Sequence, residues 1–246
     1  MKSAVFYGKH DMRVEEYEKP KIGPKEALVA VKACGVCGTD VHIFEGDKGS
    51  VEVTPPAILG HEFSGIIVET GKDITNFKTG DRVCVDPNCY CGTCDACRSG
   101  IPHYCRNLIG YGTKRNGAFA EFCAVDERQL YLLGENTSFE QGAMAEPVAC
   151  CLHGIDLCEI RPGHQVVVIG GGMIGLLMVQ LARLAGAAKV ALLEPVRSKR
   201  EVGRRLGADI CIDPIHEDVK AVLAAQGMTW IHTCLLYTSP SPRDTR

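Results

Sequence analysis

Residues 165–175 read Gln-Val-Val-Val-Ile-Gly-Gly-Gly-Met-Ile-Gly, and this stretch decides the fold of the second half of the chain. The β-branched residues before the glycines predict a buried strand, and the apolar run Met173–Ala185 predicts a helix directly after the turn. A second strand is expected at Lys189–Glu194, a second helix at Ser198–Leu206, and a third strand at Asp209–Asp213. Strands that alternate with helices indicate a doubly wound parallel sheet, the α/β fold class.

The glycine turn also has the spacing of a dinucleotide-binding loop. Gly170, Gly172 and Gly175 fit the pattern G-x-G-x-x-G between a strand and a helix, and Glu194 ends the next strand 22 residues after Gly172. Such glycines let the backbone approach a pyrophosphate at the helix N-terminus, while the carboxylate binds the ribose hydroxyls. An acidic residue here favours NAD over NADP, whose 2′-phosphate it repels. The candidate cofactor-binding residues are Gly170, Gly172, Ile174, Gly175, Glu194 and Lys199.

The first part of the chain has a different pattern. Short β-rich runs at Val29–Lys32, Phe63–Glu69, Asp81–Val85 and Ala118–Val125 are separated by polar turns, which predicts a barrel-like, β-rich domain. The pattern changes near Glu146-Pro147, after which helical spacing is expected over residues 148–160. We therefore expect a β-rich domain over residues 1–150 and the beginning of a nucleotide-binding domain over 151–233.

Composition and charge exclude several classes of partner. The net charge of −3 provides no basic field for nucleic acid or an anionic membrane surface. No apolar run reaches the roughly 18 residues that a membrane-spanning helix needs, and residues 1–12 have no signal-peptide core. We expect a cytoplasmic protein that acts on a small molecule.

Cysteine is unusually abundant, with 14 among 246 residues. In a reducing compartment, dense cysteine indicates metal sites rather than disulfides. Several cysteines stand among apolar residues, so we expect them to be buried as small hydrophobic side chains. These are Cys123, Cys150, Cys151, Cys158 and Cys211.

Four other cysteines have the spacing C-x2-C-x2-C-x7-C, namely Cys91, Cys94, Cys97 and Cys105. Four thiolates in a glycine-containing loop predict a closed tetrahedral zinc site that holds the loop and leaves no position for water. An iron–sulfur cluster would use the same thiolates, but the bacterial ferredoxin spacing differs. Cys89 lies just outside the set and is the alternative fourth ligand.

A second candidate metal site involves Cys37 and His61. A catalytic zinc needs about three protein ligands and an open position, and a carboxylate from Glu62 or Glu146 could complete the set. Spacing alone leaves this open, since a single cysteine or histidine is often structural. Cys34 and Cys37 also form C-x-x-C, so a thiol-redox pair is an alternative.

The motifs Cys37-Gly-Thr-Asp-Val-His42, Gly60-His-Glu-Phe-Ser-Gly65, the four-cysteine loop, Glu146-Pro147 and the glycine turn follow one another in this order. Over residues 1 to about 233 the chain thereby resembles the zinc-dependent medium-chain alcohol dehydrogenase family. It is most similar to the sorbitol (polyol) and threonine dehydrogenase branch. In that branch Glu146-Pro147 stands where ethanol-oxidising members have a second cysteine ligand.

The resemblance implies a GroES-like catalytic domain followed by a truncated Rossmann domain, with two zinc ions per complete subunit. It implies hydride transfer from a polyol-like secondary alcohol to NAD, or oxidation of an amino alcohol such as threonine, by a homodimer or homotetramer. Carried over by position, Cys37 and His61 ligate the catalytic zinc, and Glu62 and Glu146 ligate it or hold its water. Thr39 hydrogen-bonds the substrate oxygen, and His42 ends a proton relay.

Three other functions are alternatives to the dehydrogenase. A nucleic-acid-binding zinc module does not explain the glycine turn, and a zinc-free quinone reductase lacks the four-cysteine loop. A redox protein would use Cys34 and Cys37. Residues 234–246 resemble a translated transposase sequencing adapter, so we expect a non-native tail on a truncated chain that is inactive by itself.

Overall fold

The computed structural model describes residues 1–47 and 52–228, so the expected non-native tail lies outside the described residues. The chain divides into two compact units, the first ending at Glu146 and the second beginning at Pro147. Within the described ranges, no helix is long and apolar enough to cross a bilayer.

The first unit is built mainly from antiparallel strands. These are β1 (Lys2–Gly8), β2 (Asp11–Glu16), β3 (Glu26–Cys34), β4 (Ala57–Ile58), β5 (Phe63–Thr70), β6 (Arg82–Val85), β7 (Asn88–Cys89), β8 (Ile109–Gly110), β9 (Phe122–Asp126) and β10 (Leu130–Leu132). The largest sheet has the order β10-β6-β5-β3-β9, a smaller one has the order β2-β1-β4, and β7 pairs with β8. The core of the large sheet includes Ala27, Val29, Phe63, Ile67 and Val83.

Short helices lie between these strands. They are α1 (Gly38–Glu45), α2 (Asp95–Arg98) and α3 (Phe139–Ala143), and α4 (Ala145–Leu157) follows. The β3–β5 register shifts between Val31 and Ala33, and such a bulge bends a strand. The bend comes just before β3 ends and the chain turns towards Cys37, a candidate metal ligand at the N-terminus of α1.

The second unit alternates strands and helices as predicted. Its elements are β11 (Gln165–Ile169), α5 (Met173–Leu184), β12 (Lys189–Leu193), α6 (Arg197–Arg205), β13 (Ile210–Ile212) and α7 (Val219–Ala225). The strands are parallel in the order β11-β12-β13. Val179, Ala182, Val190 and Leu192 are buried between α5 and the sheet, because α5 places apolar residues at helical spacing on one face. The α/β fold with a β-rich first domain is confirmed.

Several predicted boundaries were wrong, including the end of the helix expected to reach residue 160, which lies at Leu157. Helix α4 begins at Ala145 rather than Val148. Pro147 is tolerated because it lies in the first turn, where backbone N–H groups make no hydrogen bond within the helix. The strand expected from Ala118 begins at Phe122. The residues before it bond elsewhere: the N–H of Ala118 donates to Gly60 O (2.9 Å) and that of Phe119 to Leu59 O (2.9 Å).

The expected burial of five cysteines was only partly right. Cys123 and Cys151 are buried, but Cys150 is exposed, and Cys158 and Cys211 are intermediate. Neighbouring residues of a helix point about 100° apart, so Cys150 and Cys151 cannot both face the core. The apolar residues next to Cys150 and Cys151 in the sequence did not show which of the two lies on the buried face of α4.

Candidate functional site

The four-cysteine loop brings its sulfur atoms into one cluster. Sγ–Sγ distances are 3.5 Å for Cys94–Cys97 and Cys91–Cys105, 3.9 Å for Cys94–Cys105 and 4.0 Å for Cys91–Cys97. A tetrahedral zinc with Zn–S bonds of ~2.3 Å requires sulfurs ~3.8 Å apart, so the cluster fits that ion. Cys89 instead packs in the core of the first unit and does not belong to the cluster.

Local structure explains why these sulfurs converge. Gly92 has a φ of 73° and turns the chain after Cys91, while Cys94 caps the N-terminus of α2. The N–H of Cys94 donates to the sulfur of Cys91 (3.4 Å). Backbone and hydroxyl hydrogen bonds from Thr93 and this N–H lower the pKa of Cys91 to about 5. The loop therefore stabilises the thiolate of Cys91, the form that binds metal, whereas burial raises the pKa of Cys97.

A second cluster lies beside α1. One ligand atom each from Cys37, His61 and Glu62 lies within 4.8 Å of the others. The antiparallel pairing of β3 with β5 explains this, because Cys34 pairs with Phe63 and the N–H of Gly35 donates to Glu62 O (2.7 Å). Thiolate, imidazole and carboxylate are the donor types that zinc prefers, so these residues can hold the metal.

Close backbone packing holds Glu62 in this position. A Cβ on Gly35 would lie 2.3 Å from Glu62 Oε2, so only glycine lets the carboxylate lie there. Glu62 is 3% exposed, and burial raises its pKa, with a further contribution from Glu146. For His61, burial acts to lower the pKa, but the hydrogen bond with Cys37 and the charge of Asp40 raise it to about 9.

Asp40 is a site residue that the sequence reading missed. It is 3% exposed, accepts hydrogen bonds from the N–H of Cys37 (2.9 Å) and of Gly60 (3.2 Å), and lies 3.8 Å from His61 Nδ1. Its carboxylate therefore ties the N-terminus of α1 to the segment before β5 and places a negative charge beside the imidazole. The sequence could have indicated this role, because Asp40 stands three residues after Cys37, at the position of the acidic residue in a helix capping box.

A cavity of about 600 Å³ in the first unit adjoins this cluster and is lined by Thr39, His61 and Glu146 among others. The Thr39 hydroxyl lies 3.7 Å from the sulfur of Cys37. Glu146 thus faces the same cavity as His61, although it is not one of the three tightly clustered ligands. His42 lies further along α1, with its Nδ1 3.1 Å from Asp47 Oδ2.

The glycine turn of the second unit uses each glycine differently. Gly170 has a φ of 94°, and a Cβ on Gly175 would lie 1.8 Å from Gly170 O. Gly172 caps α5, and a Cβ there would meet nothing within 4 Å. The first and third glycines are therefore required by the turn itself, whereas the second leaves open the space in front of the helix.

Glu194 lies against this turn. It is 4% exposed and accepts hydrogen bonds from the N–H of Gly171 (2.6 Å) and of Val196 (2.7 Å). A Cβ on Gly171 would lie 2.8 Å from Glu194 Cγ, a requirement for glycine that the sequence pattern did not reveal. Ile174 packs its side chain against the core, and Lys199 is exposed on α6.

The Alcohol dehydrogenase GroES-like domain model matches residues 23–135. The L-threonine 3-dehydrogenase of Caldanaerobacter subterraneus subsp. tengcongensis is 37% identical over 221 residues, which is 89% of this chain and 63% of that protein. The chain thus spans less than two thirds of the length of the curated relatives it matches.

Solved structures give the same family. A zinc-binding dehydrogenase from Sinorhizobium meliloti 1021 bound to NADP has a TM-score of 0.85 and 43% identity, covering 89% of this chain and 63% of that one. The 2R,3R-butanediol dehydrogenase from Bacillus subtilis has a TM-score of 0.83 and 34% identity, covering 92% of this chain and 67% of that one. The two clusters of candidate metal ligands and the glycine turn agree with these matches, and the chain belongs to the zinc-dependent medium-chain alcohol dehydrogenase family.

Proposed function

We propose that the complete protein is a zinc- and NAD-dependent dehydrogenase that oxidises a polyol-like secondary alcohol to a ketone. The observation that carries this proposal is the convergence of Cys37, His61 and Glu62 beside a cavity that Thr39 also lines. A thiolate, an imidazole and a carboxylate at the edge of an accessible cavity are suited to a catalytic zinc with a free coordination position. The match to a butanediol dehydrogenase supports a secondary alcohol.

The chain's own residues have distinct proposed roles. When bound, zinc polarises the substrate hydroxyl and NAD accepts a hydride. Cys37 and His61 hold the metal, and Glu62 or Glu146 completes the ligand set or holds its water. Thr39 accepts a hydrogen bond from the substrate hydroxyl. His42, with Asp47 beside it, passes a proton towards solvent.

For the cofactor we propose NAD, bound at the glycine turn. The support is the buried Glu194, whose carboxylate already accepts from the backbone of the turn and would repel a 2′-phosphate. The Sinorhizobium meliloti structure holds NADP, so direct comparison of the two cofactors is informative. We expect a higher kcat/KM for NAD.

A second candidate substrate is an amino alcohol. The 37% identity to an L-threonine 3-dehydrogenase favours it, and the proposed ligand set serves either alcohol equally. A non-enzymatic zinc module is less well supported, because it requires neither the open space in front of Gly172 nor the cavity beside His61.

The remaining proposals concern organisation. We propose a GroES-like catalytic domain over residues 1–150 and the first half of a Rossmann domain over 151–233, supported by the division of the chain at Glu146 and Pro147. The resemblance supports a homodimer or homotetramer. We propose a reducing, cytoplasmic location, in which the clustered cysteines stay available as metal ligands.

The test of the proposed function is NAD reduction by the complete, zinc-loaded gene product. Sorbitol, 2,3-butanediol and L-threonine are compared as substrates by NADH formation. We expect turnover on at least one of them, with kcat of about 1 s⁻¹ or more, and its loss after chelation of zinc. Absence of NAD reduction with every substrate, in protein shown to contain two zinc ions, would contradict the proposal.

The glycine turn offers a matched pair of substitutions. Gly172→Ala adds a Cβ in open space, so we expect an unchanged Tm but NAD binding weakened about 10-fold or more, because the methyl group obstructs the pyrophosphate. Gly175→Ala places the Cβ against Gly170 O, and we expect a Tm lower by several degrees. Thermal denaturation and NAD titration of both variants check this; equal NAD affinity in wild type and Gly172→Ala would refute the binding assignment.

A further inference from the structure

Lys114 lies on the wall of the cavity beside the Cys37–His61–Glu62 cluster. It belongs to a turn, Gly110–Arg115, that follows the four-cysteine loop. The motifs discussed above do not account for this lysine.

The turn is held firmly. The N–H groups of Lys114 and Arg115 both donate to Gly110 O (3.1 and 3.0 Å), and the N–H of Gly112 donates to Arg115 O (2.8 Å). Arg115 in turn forms an ion pair with Glu26 and stacks on the ring of Tyr111. The backbone that carries Lys114 is therefore fixed at several points.

The same turn packs against the segment that carries His61. A Cβ on Gly112 would lie 3.0 Å from Gly60 O, and one on Gly117 would lie 2.1 Å from it. Gly60 directly precedes His61, so the backbone of the Lys114 turn is set relative to the candidate metal ligand. The side chain of Lys114, which is exposed, therefore extends from a backbone position that is fixed relative to that ligand.

The ammonium of Lys114 keeps unused hydrogen-bonding capacity. Its Nζ donates to Leu108 O (3.0 Å), and within residues 1–47 and 52–228 no carboxylate lies within 4.0 Å of it. An ammonium has three donors, so it has capacity left for a ligand. Glu52 and Glu146 also line the cavity; their carboxylates disfavour a nearby anion, whereas the ammonium of Lys114 attracts one.

We propose that Lys114 binds an anionic group, a carboxylate or a phosphate, carried by the alcohol substrate. This inference rests on the proposed dehydrogenase function and narrows its substrate to alcohols with one such group. A charge-assisted hydrogen bond to an anion is about twice as strong as one between neutral groups.

The test compares three secondary alcohols: 3-hydroxybutyrate with a carboxylate, glycerol 3-phosphate with a phosphate, and 2,3-butanediol with neither. Binding to the complete, zinc-loaded protein is measured by titration calorimetry, and kcat and KM with NAD are measured separately. For Lys114→Met we expect affinity for one of the anionic alcohols to fall about 10-fold, seen in KM rather than kcat. Binding of 2,3-butanediol is expected to change less than about twofold. The alcohol with the larger loss identifies the anionic group.

Two controls accompany this variant. Lys114→Arg keeps the charge and is expected to keep most of the affinity for the anionic alcohol. Lys25→Met removes an exposed lysine near Asp126 and is expected to leave the affinities for all three alcohols unchanged. Equal effects of Lys114→Met on all three alcohols, no effect on any, or no binding of either anionic alcohol by the wild type overturns the inference. NAD reduction without dependence on Lys114 contradicts this inference alone; binding that depends on Lys114 without NAD reduction contradicts the proposed function alone.

Discussion

Replacing Cys37 with alanine is expected to remove one of the two zinc ions of the complete protein and to lower kcat/KM about 1,000-fold or more. The physical reason is that a catalytic zinc contributes several kcal/mol of transition-state stabilisation, and Cys37 supplies the thiolate of the Cys37–His61–Glu62 cluster. Zinc content by elemental analysis and NAD reduction are the two measurements. The four-cysteine loop shares no residue with this cluster, so its zinc is expected to remain.

Cys34→Ala is the matched control for this experiment. Cys34 is three residues away and packs against the core, and burial raises the pKa of its thiol to about 12. A partly buried thiol that stays protonated is a poor metal ligand and a poor nucleophile. We expect this variant to keep both zinc ions and most of its activity. Loss of activity in both variants with zinc content unchanged would instead support the thiol-redox alternative.

The second large effect is expected at the four-cysteine loop. Cys105→Ala leaves three thiolates, and we expect the loss of the loop zinc with a fall in Tm of about 10 °C. Neither α2 nor the short helical turn Pro102–Tyr104 has a buried residue, so this loop has little apolar packing of its own. Metal binding then supplies most of the free energy that orders it. Limited proteolysis is expected to cut the variant between residues 91 and 105.

Cys89→Ala distinguishes the two possible fourth ligands. Cys89 is 9% exposed within the core of the first unit, so its truncation is expected to cost about 1 kcal/mol of unfolding free energy and to leave zinc content unchanged. If Cys89→Ala loses zinc and Cys105→Ala keeps it, our assignment of the loop ligands is wrong.

Structural features that depend only on residues close together in the sequence could be predicted from the sequence. The strand–helix order of the second unit follows from local periodicity, and α5 begins at Met173 as expected. The four clustered cysteines lie within fifteen positions of one loop, so their spacing alone indicated a shared metal. The roles of the individual site residues stay predictions until the variants above are measured.

Features that depend on strand pairing were not predictable in the same way. Spacing left open whether Cys37 ligates a metal together with His61 or forms a thiol-redox pair with Cys34. The register that pairs Cys34 with Phe63 commits Cys34 to the sheet and brings Cys37 beside His61 and Glu62. Asp40 and Lys114 were overlooked for the same reason, since their importance comes from contacts made across the fold.

The stretch at residues 165–175 and the four-cysteine loop were thus determined by the sequence itself, because each depends on residues that are neighbours along the chain. The Cys37–His61–Glu62 cluster, its support by Asp40 and the cavity wall at Lys114 were decided only by the tertiary structure. Hydrogen-bonded pairing of distant strands and close glycine packing at Gly35 and Gly112 set the distances between these groups. Residue type and spacing along the chain do not contain those distances.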